Sequence, residues 1–475
     1  MALETILRPT PARVWADAIV IGAGLSGLQT AVKIQAAGYS CLVLEAHDRV
    51  GGKTLSIKSS SKPAGVNDVG AAWVNDSNQT EIWKLFEKYD VGPVIQRATG
   101  TSFRQSEDGR VESYPYGREF PGEDDDQAGE MRKIYGAIHR AVEASDLEHP
   151  ETGPDADKLD SMTFTEFCQE FGPNIGATVA SAATAALLGV EGQEISALFM
   201  INYIKSGCGI QVITSDQKDG AQYIRARHGM QTISEGLSSE LTSGSLRLNT
   251  VVKSIQQCDD GSYDVYSTAG AVFEADQVVV SIPTCLYRTI EFTPPLPEKK
   301  QKLGENTVLG YYSKVVLVFD GPWWRTADLS GVMDSYKGPI AFTRDTSAPD
   351  DDQWSISCFV VGDMGREWGK ASAAKRHEAV LEQFNTVFST AATVPNPIAI
   401  HEKMWMQEPY FFGAPCPIMA PGVLTSLGSD VLREPVGNIH FVGTETSIVW
   451  KGYMDGALRS GQRGAEEVVA SLGVL

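Results

Sequence analysis

A glycine-rich turn between a short apolar strand and a helix constrains this chain more than any other feature of its sequence. The apolar run from Asp17 to Ile21 leads directly into G-A-G-L-S-G, which places glycines at 22, 24 and 27. A helical stretch, L-Q-T-A-V-K-I-Q-A-A-G, follows, and a second apolar strand from Ser40 to Leu44 ends at Glu45. Strand, glycine turn, helix, strand and acid in this order predict a βαβ unit of the kind that binds dinucleotides.

Each glycine has a separate physical role in such a unit. Gly22 permits the tight turn, Gly24 lets the backbone approach a pyrophosphate, and Gly27 lets helix and sheet pack closely. The helix N-terminus then faces the phosphates with its partial positive charge, and Glu45 is placed to accept hydrogen bonds from a ribose hydroxyl. Glycines also simply end elements, but the surrounding strand–helix–strand pattern favours nucleotide binding.

A second glycine pair follows Glu45 in the stretch A-H-D-R-V-G-G-K-T. Gly51 and Gly52 lie there between Arg49 and Lys53. A basic, glycine-rich loop this close to the first suits a large, extended dinucleotide such as FAD, whereas a simple nicotinamide dehydrogenase would continue into another helix. A solvated polar turn is the alternative interpretation of the same residues.

Charge and cysteine content narrow the functional classes. The 475 residues carry 40 basic and 60 acidic side chains, and the net charge of −20 disfavours binding to nucleic acid or to an anionic membrane surface. The 7 cysteines and 7 histidines are scattered without a CxxC pair, so we expect neither a disulfide framework nor a zinc site. The first residues lack a signal pattern, and no stretch approaches the roughly 18 apolar residues of a membrane helix. We therefore expect a soluble, cytoplasmic protein without nucleic-acid or membrane partners.

The remainder of the chain predicts a mixture of strands and helices. Strands are expected at 245–255, 263–267, 271–275, 277–282 and 313–319, and a helix at 452–472. Stretches rich in Pro, Gly and acidic residues at 118–126 and 149–157 predict surface loops. The segment from Ala177 to Val190, rich in Ala, Ser and Thr, suits a buried helix.

Three separated blocks resemble the flavin-containing amine oxidases, most closely the soluble, fungal-type members of the monoamine oxidase branch. The blocks are D-A-I-V-I-G-A-G-L-S-G-L with L-E-A-H-D-R-V-G-G-K-T, then D-V-G-A-A-W-V, and finally F-V-G-T-E-T with W-K-G-Y-M-D-G-A. The resemblance implies an α/β fold: a Rossmann-like, glutathione-reductase-type FAD-binding domain, and an α+β substrate domain whose mixed sheet covers the flavin. The FAD-binding domain would combine residues 1–90, 225–295 and 425–475, and the substrate domain residues 91–224 and 296–424.

The resemblance also assigns an FAD site. Val251 would meet the adenine through its backbone, and Gly443, Thr444 and Met454 would lie under the ribityl chain and the isoalloxazine ring. Lys53 stands where the family commonly has arginine, which keeps the charge but loses the planar fork; His47 replaces another arginine. The full set assigned to the cofactor is Gly22, Gly24, Ser26, Gly27, Glu45, Lys53, Gly70, Ala71, Val251, Gly443, Thr444 and Met454.

Three residues match catalytic positions of the family. Lys314, in G-Y-Y-S-K-V-V-L-V-F, matches the lysine that holds a water against flavin N5, and Trp405 matches a tryptophan beside the flavin. Tyr453 supplies one aromatic wall of the cage that orients the amine. An inward-facing lysine on an apolar strand is costly unless something takes its charge. The alternatives are a Lys314 that points outward to solvent and a Trp405 that only fills the core.

The second wall of the amine cage departs from the family pattern. Its position falls on Pro415, so the wall is either missing or supplied by Phe411 or Phe412. A half-open cage should admit amines that are longer or branched at the reacting carbon. Gln222 and Ile213 are assigned to the substrate channel, although Gln222 could equally lie in an ordinary surface turn.

The covalent flavin attachment of monoamine oxidases is also missing. Aligning Y-F-F-G-A-P-C-P-I-M-A-P-G on the family segment puts Ala414 at the position of the attaching cysteine, with Cys416 two residues further on. We expect a non-covalent FAD, with a thioether to Cys416 as the alternative, and a small apolar filler as the other interpretation of Cys416.

The reaction implied by the resemblance is the oxidation of a primary amine to an imine, which hydrolyses to a carbonyl and ammonia, while oxygen becomes hydrogen peroxide. A long-chain aliphatic amine or an amino-alcohol amine of the sphingoid or fumonisin type is the expected substrate. Benzylamine-like and short alkyl amines come second. The partners are thus a small amine and O2, and the family commonly forms homodimers.

Three alternatives remain open from the sequence. A polyamine oxidase would need an acid after Trp73-Val74, where this chain has Asn75, with Asp76 one place late. An L-amino-acid oxidase would need an arginine over the flavin, and Arg225 or Arg227 is the candidate. A flavin-binding scaffold that docks a partner is the non-enzymatic alternative.

Overall fold

The computed structural model describes residues 13–60, 65–117 and 125–473. Its strands, numbered in chain order, are β1 (Arg13–Ile21), β2 (Cys41–Leu44), β3 (Ser56–Lys58), β4 (Val66–Asp68), β5 (Trp73–Val74), β6 (Pro93–Ile95), β7 (Thr101–Gln105), β8 (Val111–Pro115), β9 (Ile224–Ala226), β10 (Leu246–Arg247), β11 (Val252–Gln257), β12 (Tyr263–Ser267), β13 (Val272–Val280), β14 (Glu291–Thr293), β15 (Thr307–Leu309), β16 (Tyr312–Phe319), β17 (Leu329–Ser335), β18 (Phe342–Asp345), β19 (Trp354–Val361), β20 (Ala399–Met404), β21 (Pro417–Met419) and β22 (Ile439–Phe441).

The α-helices, numbered in the same way, are α1 (Leu25–Ala36), α2 (Thr80–Lys88), α3 (Asp125–Ala144), α4 (Ala156–Ser161), α5 (Phe164–Phe171), α6 (Gly176–Leu188), α7 (Ala197–Ser206), α8 (Ile210–Ile213), α9 (Gln231–Ser239), α10 (Glu298–Glu305), α11 (Trp323–Thr326), α12 (Gly362–Trp368), α13 (Ala373–Phe388), α14 (Val423–Leu427) and α15 (Met454–Leu472). Short 3-10 helices lie at Pro150–Thr152, Thr284–Thr289, Pro349–Asp351, Trp405–Gln407, Ser429–Leu432 and Thr444–Thr446.

The first sheet carries the predicted βαβ unit at its centre. Its order is β10-β2-β1-β13-β12-β11-β14, with β22 beside β13. Strands β10, β2, β1, β13 and β22 run parallel, and β12 joins antiparallel. All four residues of β2 are buried, as expected for a parallel strand covered on both faces.

Helix α1 covers one face of this sheet and packs against α15. Thr30 Oγ1 donates a hydrogen bond to the carbonyl of Gly461 at 3.0 Å. A Cβ at Gly461 would lie 2.5 Å from the carbonyl oxygen of Ser26, so only glycine allows the two helices to approach this closely. Residues far apart in the chain therefore meet beside the glycine turn.

The second large sheet is mixed, as expected for a substrate domain. Its order is β20-β16-β19-β18-β17-β7-β8, with β17 and β7 parallel and the other pairs antiparallel. A small sheet, β5-β9-β6, draws strands from both predicted domains. The fold class predicted from the sequence is confirmed: an α/β nucleotide-binding unit joined to an α+β unit with a mixed sheet.

Several predicted elements have different bounds in the structure. The strand expected at 245–255 is two strands, β10 and β11, and the pair expected at 271–282 is the single strand β13. The loop expected at 149–157 contains a 3-10 helix and the start of α4, while 118–124 of the other predicted loop lie outside the described residues. Helix α6 was expected to be buried, but only Gly176, Ala180, Thr184 and Leu188 are buried, because one side of this helix borders a cavity.

Candidate active site

A cavity of about 560 Å³ lies between the two large sheets. Its wall combines the glycine loops of the first sheet with β16 and β19 of the second and with the start of α15. The segments that form it are separated by hundreds of residues, so only the complete fold creates this space.

The first glycine loop forms the floor of one end of the cavity. Gly22 has φ +102°, and a Cβ there would lie 2.8 Å from the carbonyl oxygen of Ser281, so the turn requires glycine. A Cβ at Gly27 would lie 2.0 Å from the carbonyl oxygen of Gly22, which explains the close packing of helix on strand. Gly24, by contrast, has open space beside it and precedes the first residue of α1. This leaves the N-terminus of α1 open to a phosphate.

The second glycine loop is held directly against the first. Gly51 N donates to the carbonyl of Ala23 at 2.8 Å, and a Cβ at Gly52 would lie 3.2 Å from Gly24 Cα. The second loop is therefore part of the cavity wall and not a solvated polar turn.

Two charged side chains of these loops are fixed by backbone groups. Glu45 accepts hydrogen bonds from the N–H of Ala23 at 2.6 Å and of His47 at 2.8 Å, one on each carboxylate oxygen. Lys53 Nζ donates to the carbonyl of Pro415 at 3.0 Å. Burial lowers the pKa of Lys53, and the nearby Glu445 opposes that shift. The ammonium group of Lys53 therefore points across the cavity toward the segment that contains Pro415.

Lys314 points into the molecule, which eliminates the outward orientation. Its side chain lies in the cavity wall, and Nζ donates to the carbonyls of Asp68 at 2.9 Å and Gly70 at 2.7 Å. Burial lowers the pKa of Lys314 to about 8, while the Asp68 carboxylate acts in the opposite direction. The ammonium also lies 5.2 Å from the ring centroids of Trp73 and Phe359. A partly deprotonated lysine at neutral to mildly basic pH is a frequent feature of catalytic sites.

Tyr453 and Trp405 both line the same cavity. Tyr453 stacks on Tyr203 with ring centroids 5.9 Å apart and meets Trp450 edge-on at 4.9 Å. The carbonyl of Tyr453 accepts from Thr444 Oγ1 at 2.7 Å, which ties the aromatic wall to the glycine turn at Gly443. Trp405 Nε1 donates to the carbonyl of Val69 at 3.1 Å.

Sequence reasoning missed five aromatic residues of this wall: Trp73, Tyr203, Tyr312, Phe359 and Tyr410. A signal existed for Tyr312, because it lies two residues before Lys314 on β16 and strand alternation puts both on one face. Phe359 lies opposite Lys314 in the register of β19, and Tyr203 sits on the almost entirely buried α7. No pattern in the sequence predicts that Phe359 and Tyr203 line the cavity.

Phe411 and Phe412, the two candidates for the second wall of the amine cage, have different surroundings in the structure. Phe411 packs against His47 at 4.9 Å and edge-on against Trp405 at 5.1 Å, beside the second glycine loop. Phe412 is half exposed, with φ +54°. Both line the cavity, but the ring that stacks on Tyr453 is that of Tyr203.

The two predicted channel residues fare differently. Gln222 lies in the cavity wall and not in a surface turn; its Nε2 donates to the carbonyl of Ile213 at 3.0 Å, and its Oε1 is buried without a partner among the described residues. Ile213 is not among the residues that line the cavity, so its assignment to the substrate channel stays a prediction. The short helix α8 turns the Ile213 side chain inward against Gly207, where a Cβ would lie 2.3 Å from Ile213 Cγ2.

The remaining cofactor assignments share one location. The residues of that set that line the cavity are Gly22, Gly24, Ser26, Glu45, Lys53, Gly70, Ala71, Val251, Gly443, Thr444 and Met454. Gly27 alone lies behind the wall, consistent with its packing role. Ala414 and Pro415 also line the cavity, whereas Cys416 is fully buried behind it.

The charges on the wall bear on the alternative activities. Within the described residues, the wall contains the carboxylates of Glu45 and Glu445 but no arginine. Glu45 is bound to the glycine loops, and Glu445 accepts from Thr284 N at 2.9 Å. Asp76 is exposed and Arg225 and Arg227 lie on a different cavity. The acid and the arginine that the polyamine and amino-acid alternatives need are therefore not supplied by the residues proposed for them.

The glycine loops, the open N-terminus of α1 and the backbone-bound Glu45 fit an extended dinucleotide, and the lysine and aromatic rings at the other end fit a flavin ring beside a small apolar substrate. Fold and cavity together define a flavoprotein oxidoreductase. Comparison with known proteins narrows the class: residues 25–469 match the model of the flavin containing amine oxidoreductases. The chain belongs to this family and is a flavin-dependent amine oxidase.

The similarity to relatives and to solved structures extends over nearly the whole chain. A probable flavin-containing monoamine oxidase A of Dictyostelium discoideum is 28% identical over 95% of this chain and 97% of its own length, and a flavin-containing amine oxidase B of Canis lupus familiaris is 29% identical over 96% and 86%. Cyclohexylamine oxidase from Brevibacterium oxydans superposes with a TM-score of 0.88 at 27% identity, covering 96% of this chain and 99% of that one. Putrescine oxidase bound to putrescine gives 0.87 at 25%, covering 97% and 100%.

Two further observations concern the described residues only. No helix in 13–60, 65–117 and 125–473 is long and apolar enough to cross a membrane. The same ranges contain no cluster of three or more potential metal ligands, and all seven cysteines are free thiols.

Proposed function

We propose that this protein oxidises a primary amine that carries a long or branched apolar chain, using a non-covalently held FAD and oxygen. The observation that carries the proposal is the composition of the cavity wall: Lys314, Tyr453 and Trp405 lie together at an aromatic end that has neither an arginine nor a free carboxylate among the described residues. Such an end offers no partner for a second charge on the substrate.

The glycine loops, Glu45 and Gly443 would hold FAD, which would supply the redox chemistry for oxidising an amine to an imine with oxygen as the final acceptor and hydrogen peroxide as the co-product. The imine then hydrolyses in water to a carbonyl compound and ammonia.

The chain's own residues orient the substrate and exclude water. Tyr453, braced by Tyr203, offers an aromatic face that orients the amine. Lys314, held by two backbone carbonyls, fixes a positive charge or a proton donor at the aromatic end. Apolar walls disfavour the ammonium form of the substrate, so only the neutral amine reacts, and the rate should rise with pH through the substrate's own pKa.

The substrate class follows from what the wall lacks. The relatives act on monoamines, cyclohexylamine and putrescine according to their names, so the family alone does not select one. An aromatic end without a free carboxylate, with Pro415 in place of a second cage ring, favours a long aliphatic or amino-alcohol monoamine, with benzylamine-like and short alkyl amines second. The unpartnered Gln222 Oε1 is an acceptor for the hydroxyl of an amino alcohol.

Non-covalent attachment is supported by two residues. Ala414, at the position expected for the attaching cysteine, has no nucleophile. Cys416 lies behind the wall, and burial raises its thiol pKa to about 12, which suppresses the reactive thiolate. Among the solved relatives, putrescine oxidase has been redesigned at its cofactor site with an alanine-to-cysteine substitution.

The proposal is tested by mixing the purified, yellow protein without oxygen with single amines and following the flavin absorbance. We expect bleaching by dodecylamine or sphinganine, slower bleaching by benzylamine, and little with spermidine or L-leucine. Bleaching only by spermidine would indicate a polyamine oxidase, and bleaching only by L-leucine would indicate an L-amino-acid oxidase. If no amine bleached the flavin, amine oxidation would be refuted, and a flavin-binding scaffold that docks a partner would be the remaining alternative.

Lys314 is tested in the same assay by Lys314→Met. Loss of the fixed ammonium should slow flavin reduction or its reoxidation by oxygen by about tenfold or more, because charge beside the reacting groups is worth several kcal/mol in a dry site. Lys300→Met is the matched control, since Lys300 is also a buried lysine whose ammonium is bound by two backbone carbonyls, but it does not line the cavity. Equal rates for wild type and Lys314→Met would remove the catalytic role.

A further inference from the structure

A second cavity, of about 290 Å³, shares no lining residue with the first. It lies at the small sheet β5-β9-β6, and four arginines face it: Arg97, Arg225, Arg227 and Arg325. The only carboxylate among its described lining residues is Asp350. Four guanidinium groups around one small space are unexpected in a protein whose net charge is −20.

One of the four arginines is already neutralised. Arg227 Nε and Nη2 bind the Asp351 carboxylate at 2.6–3.0 Å, and Nη1 reaches Asp350 at 3.4 Å. This group forms an ordinary ion pair at the cavity edge and needs no ligand.

The other three arginines retain unused donors. Arg225 is buried; its Nε donates to Gln96 Oε1 at 3.0 Å and its Nη2 to the carbonyl of Ser347 at 2.5 Å. Arg97 uses only Nη1, toward the carbonyl of Leu329. Arg325 uses only Nε, toward Asp345 Oδ2 at 2.7 Å. Among the described residues, Nη1 of Arg225, Nε and Nη2 of Arg97 and both Nη atoms of Arg325 have no acceptor.

The surrounding carboxylates leave most of these donors without a hydrogen bond. Asp345 is the one carboxylate bonded to any of the three, and it also accepts from Trp324 Nε1 and Ser347. Asp328 acts on Arg97 and Asp68 on Arg225 only at longer range. Burial lowers the pKa of Arg225 to about 10; Asp345 opposes the shift and Arg325 adds to it. A buried guanidinium with a free donor edge is costly unless an anion occupies that edge.

A purely structural role explains part of the cluster. Arg225 braces Gln96 and the carbonyl of Ser347, and it holds β9 against the mixed sheet. That role uses Nε and Nη2 and leaves Nη1 unexplained. Arg325 pairs with Asp345 and lies 5.1 Å from the Trp354 ring centroid, but these contacts leave its Nη donors without an acceptor among the described residues. Guanidinium donors around a common space match the oxygen geometry of carboxylates and phosphates.

We propose that this cavity binds a small, multiply charged oxyanion of the phosphate or dicarboxylate type, held by Arg97, Arg225 and Arg325. The site is separate from the flavin cavity and does not depend on the proposed amine substrate. The sequence offered Arg225 or Arg227 as the candidate arginine of the alternative L-amino-acid oxidase activity; both line this second cavity.

A hydrogen-bonded path connects this site to the first cavity. Gln96 Oε1 accepts from Arg225 Nε and also from Trp73 Nε1, each at 3.0 Å. The Trp73 ring lines the flavin cavity, with Lys314 Nζ 5.2 Å from its centroid. An anion on Arg225 therefore acts on a side chain two hydrogen bonds away from the wall of the reaction site.

The test is calorimetric titration of the flavin-loaded protein, in a chloride buffer of low ionic strength, with inorganic phosphate and separately with succinate. We expect saturable binding of at least one probe, weakened about tenfold or more in Arg97→Gln and in Arg325→Gln, because each substitution removes a charged donor pair. Arg247→Gln, at an exposed position of β10, is the control and should bind like wild type.

Each outcome of this titration decides the proposal. Tighter binding of phosphate identifies a phosphorylated source, and tighter binding of succinate identifies a carboxylate metabolite; both support the site. Absence of saturable binding of either probe at millimolar concentration, or equal affinity in wild type and the Arg97→Gln variant, would overturn it. An unchanged flavin spectrum verifies the fold of each variant, and if Arg325→Gln loses its flavin, Arg97→Gln decides alone. Since no amine is present, failure here leaves the proposed oxidation untouched.

Discussion

Ala414 places a methyl group on the cavity wall where the family resemblance expects a flavin-attaching cysteine. Ala414→Cys should therefore convert much of the bound flavin to a covalent form, because a thiol would lie at that wall. After denaturation in acid, the variant should keep its yellow colour in the pellet, whereas the wild type should release it to the supernatant. Cys416→Ala is the control and should behave like wild type. Colour in the wild-type pellet that Cys416→Ala abolishes would show that Cys416 is the anchor.

Lys300 predicts a pH dependence of stability outside the active site. Its Nζ donates to the carbonyls of Val431 and Glu434, and burial lowers its pKa to about 7. The unfolded value is about 10.4, so between the two values the native protein binds fewer protons than the unfolded chain, and the free energy of unfolding rises with pH. Lys300 should contribute about 1–2 kcal/mol to that rise between about pH 7 and 8.5.

Urea unfolding of the wild type and Lys300→Met across this range measures the contribution. The variant should lose this part of the slope, while Lys299→Met, at the exposed neighbouring position, should keep it. Parallel slopes in all three proteins would mean that Lys300 stays charged in the folded state.

Helix α6 is the element through which the cavity wall is most easily altered. Ala186 lines the cavity, and its carbonyl accepts from the Tyr312 hydroxyl at 3.0 Å, whereas Ala182, one turn earlier, is exposed. Ala186→Phe should raise KM for a long-chain amine about tenfold and change KM for a short amine much less, because the added ring overpacks the channel. Ala182→Phe introduces the same ring on the exposed surface and should leave both constants unchanged. Equal effects of Ala186→Phe on long and short amines would contradict a channel at this helix.

At the scale of secondary-structure elements, the sequence predicted the arrangement of elements that are adjacent in the chain. It did not predict contacts that depend on how distant strands pair or distant helices pack. The βαβ unit was predictable because turn, helix and strands lie within one short stretch, and the inward face of Lys314 agreed with its apolar strand. Phe359 faces Lys314 only because β16 and β19 pair in one particular register, and Tyr203 reaches Tyr453 only because α7 packs beside the start of α15. The inward direction of Ile213 has the same origin, since the orientation of a short helix is set by its tertiary neighbours.

The cavity assigned to FAD is lined by segments that are distant in the chain, so we expect FAD to stabilise the folded protein strongly. Removing the flavin should lower the melting temperature, and FAD at about a thousand times its dissociation constant should restore about 4 kcal/mol. FMN, which lacks the adenylate half, should protect much less, because Glu45 and the first glycine loop are assigned to the adenylate and pyrophosphate part of FAD. Equal protection by FMN and FAD in a thermal-shift measurement would contradict the assignment of that loop to the dinucleotide.

The hydrogen bond between Thr30 and Gly461 joins residues 431 positions apart. While the ribosome is still translating, the glycine turn emerges early, but the helix that packs on α1 and supplies Met454 to the cavity does not yet exist. A nascent chain that has not yet reached α15 therefore lacks part of the cavity assigned to FAD, and the side of α1 that packs on α15 is still uncovered. The supply of riboflavin, from which FAD is made, would then affect how many newly synthesised chains fold, at the moment when α15 packs against α1.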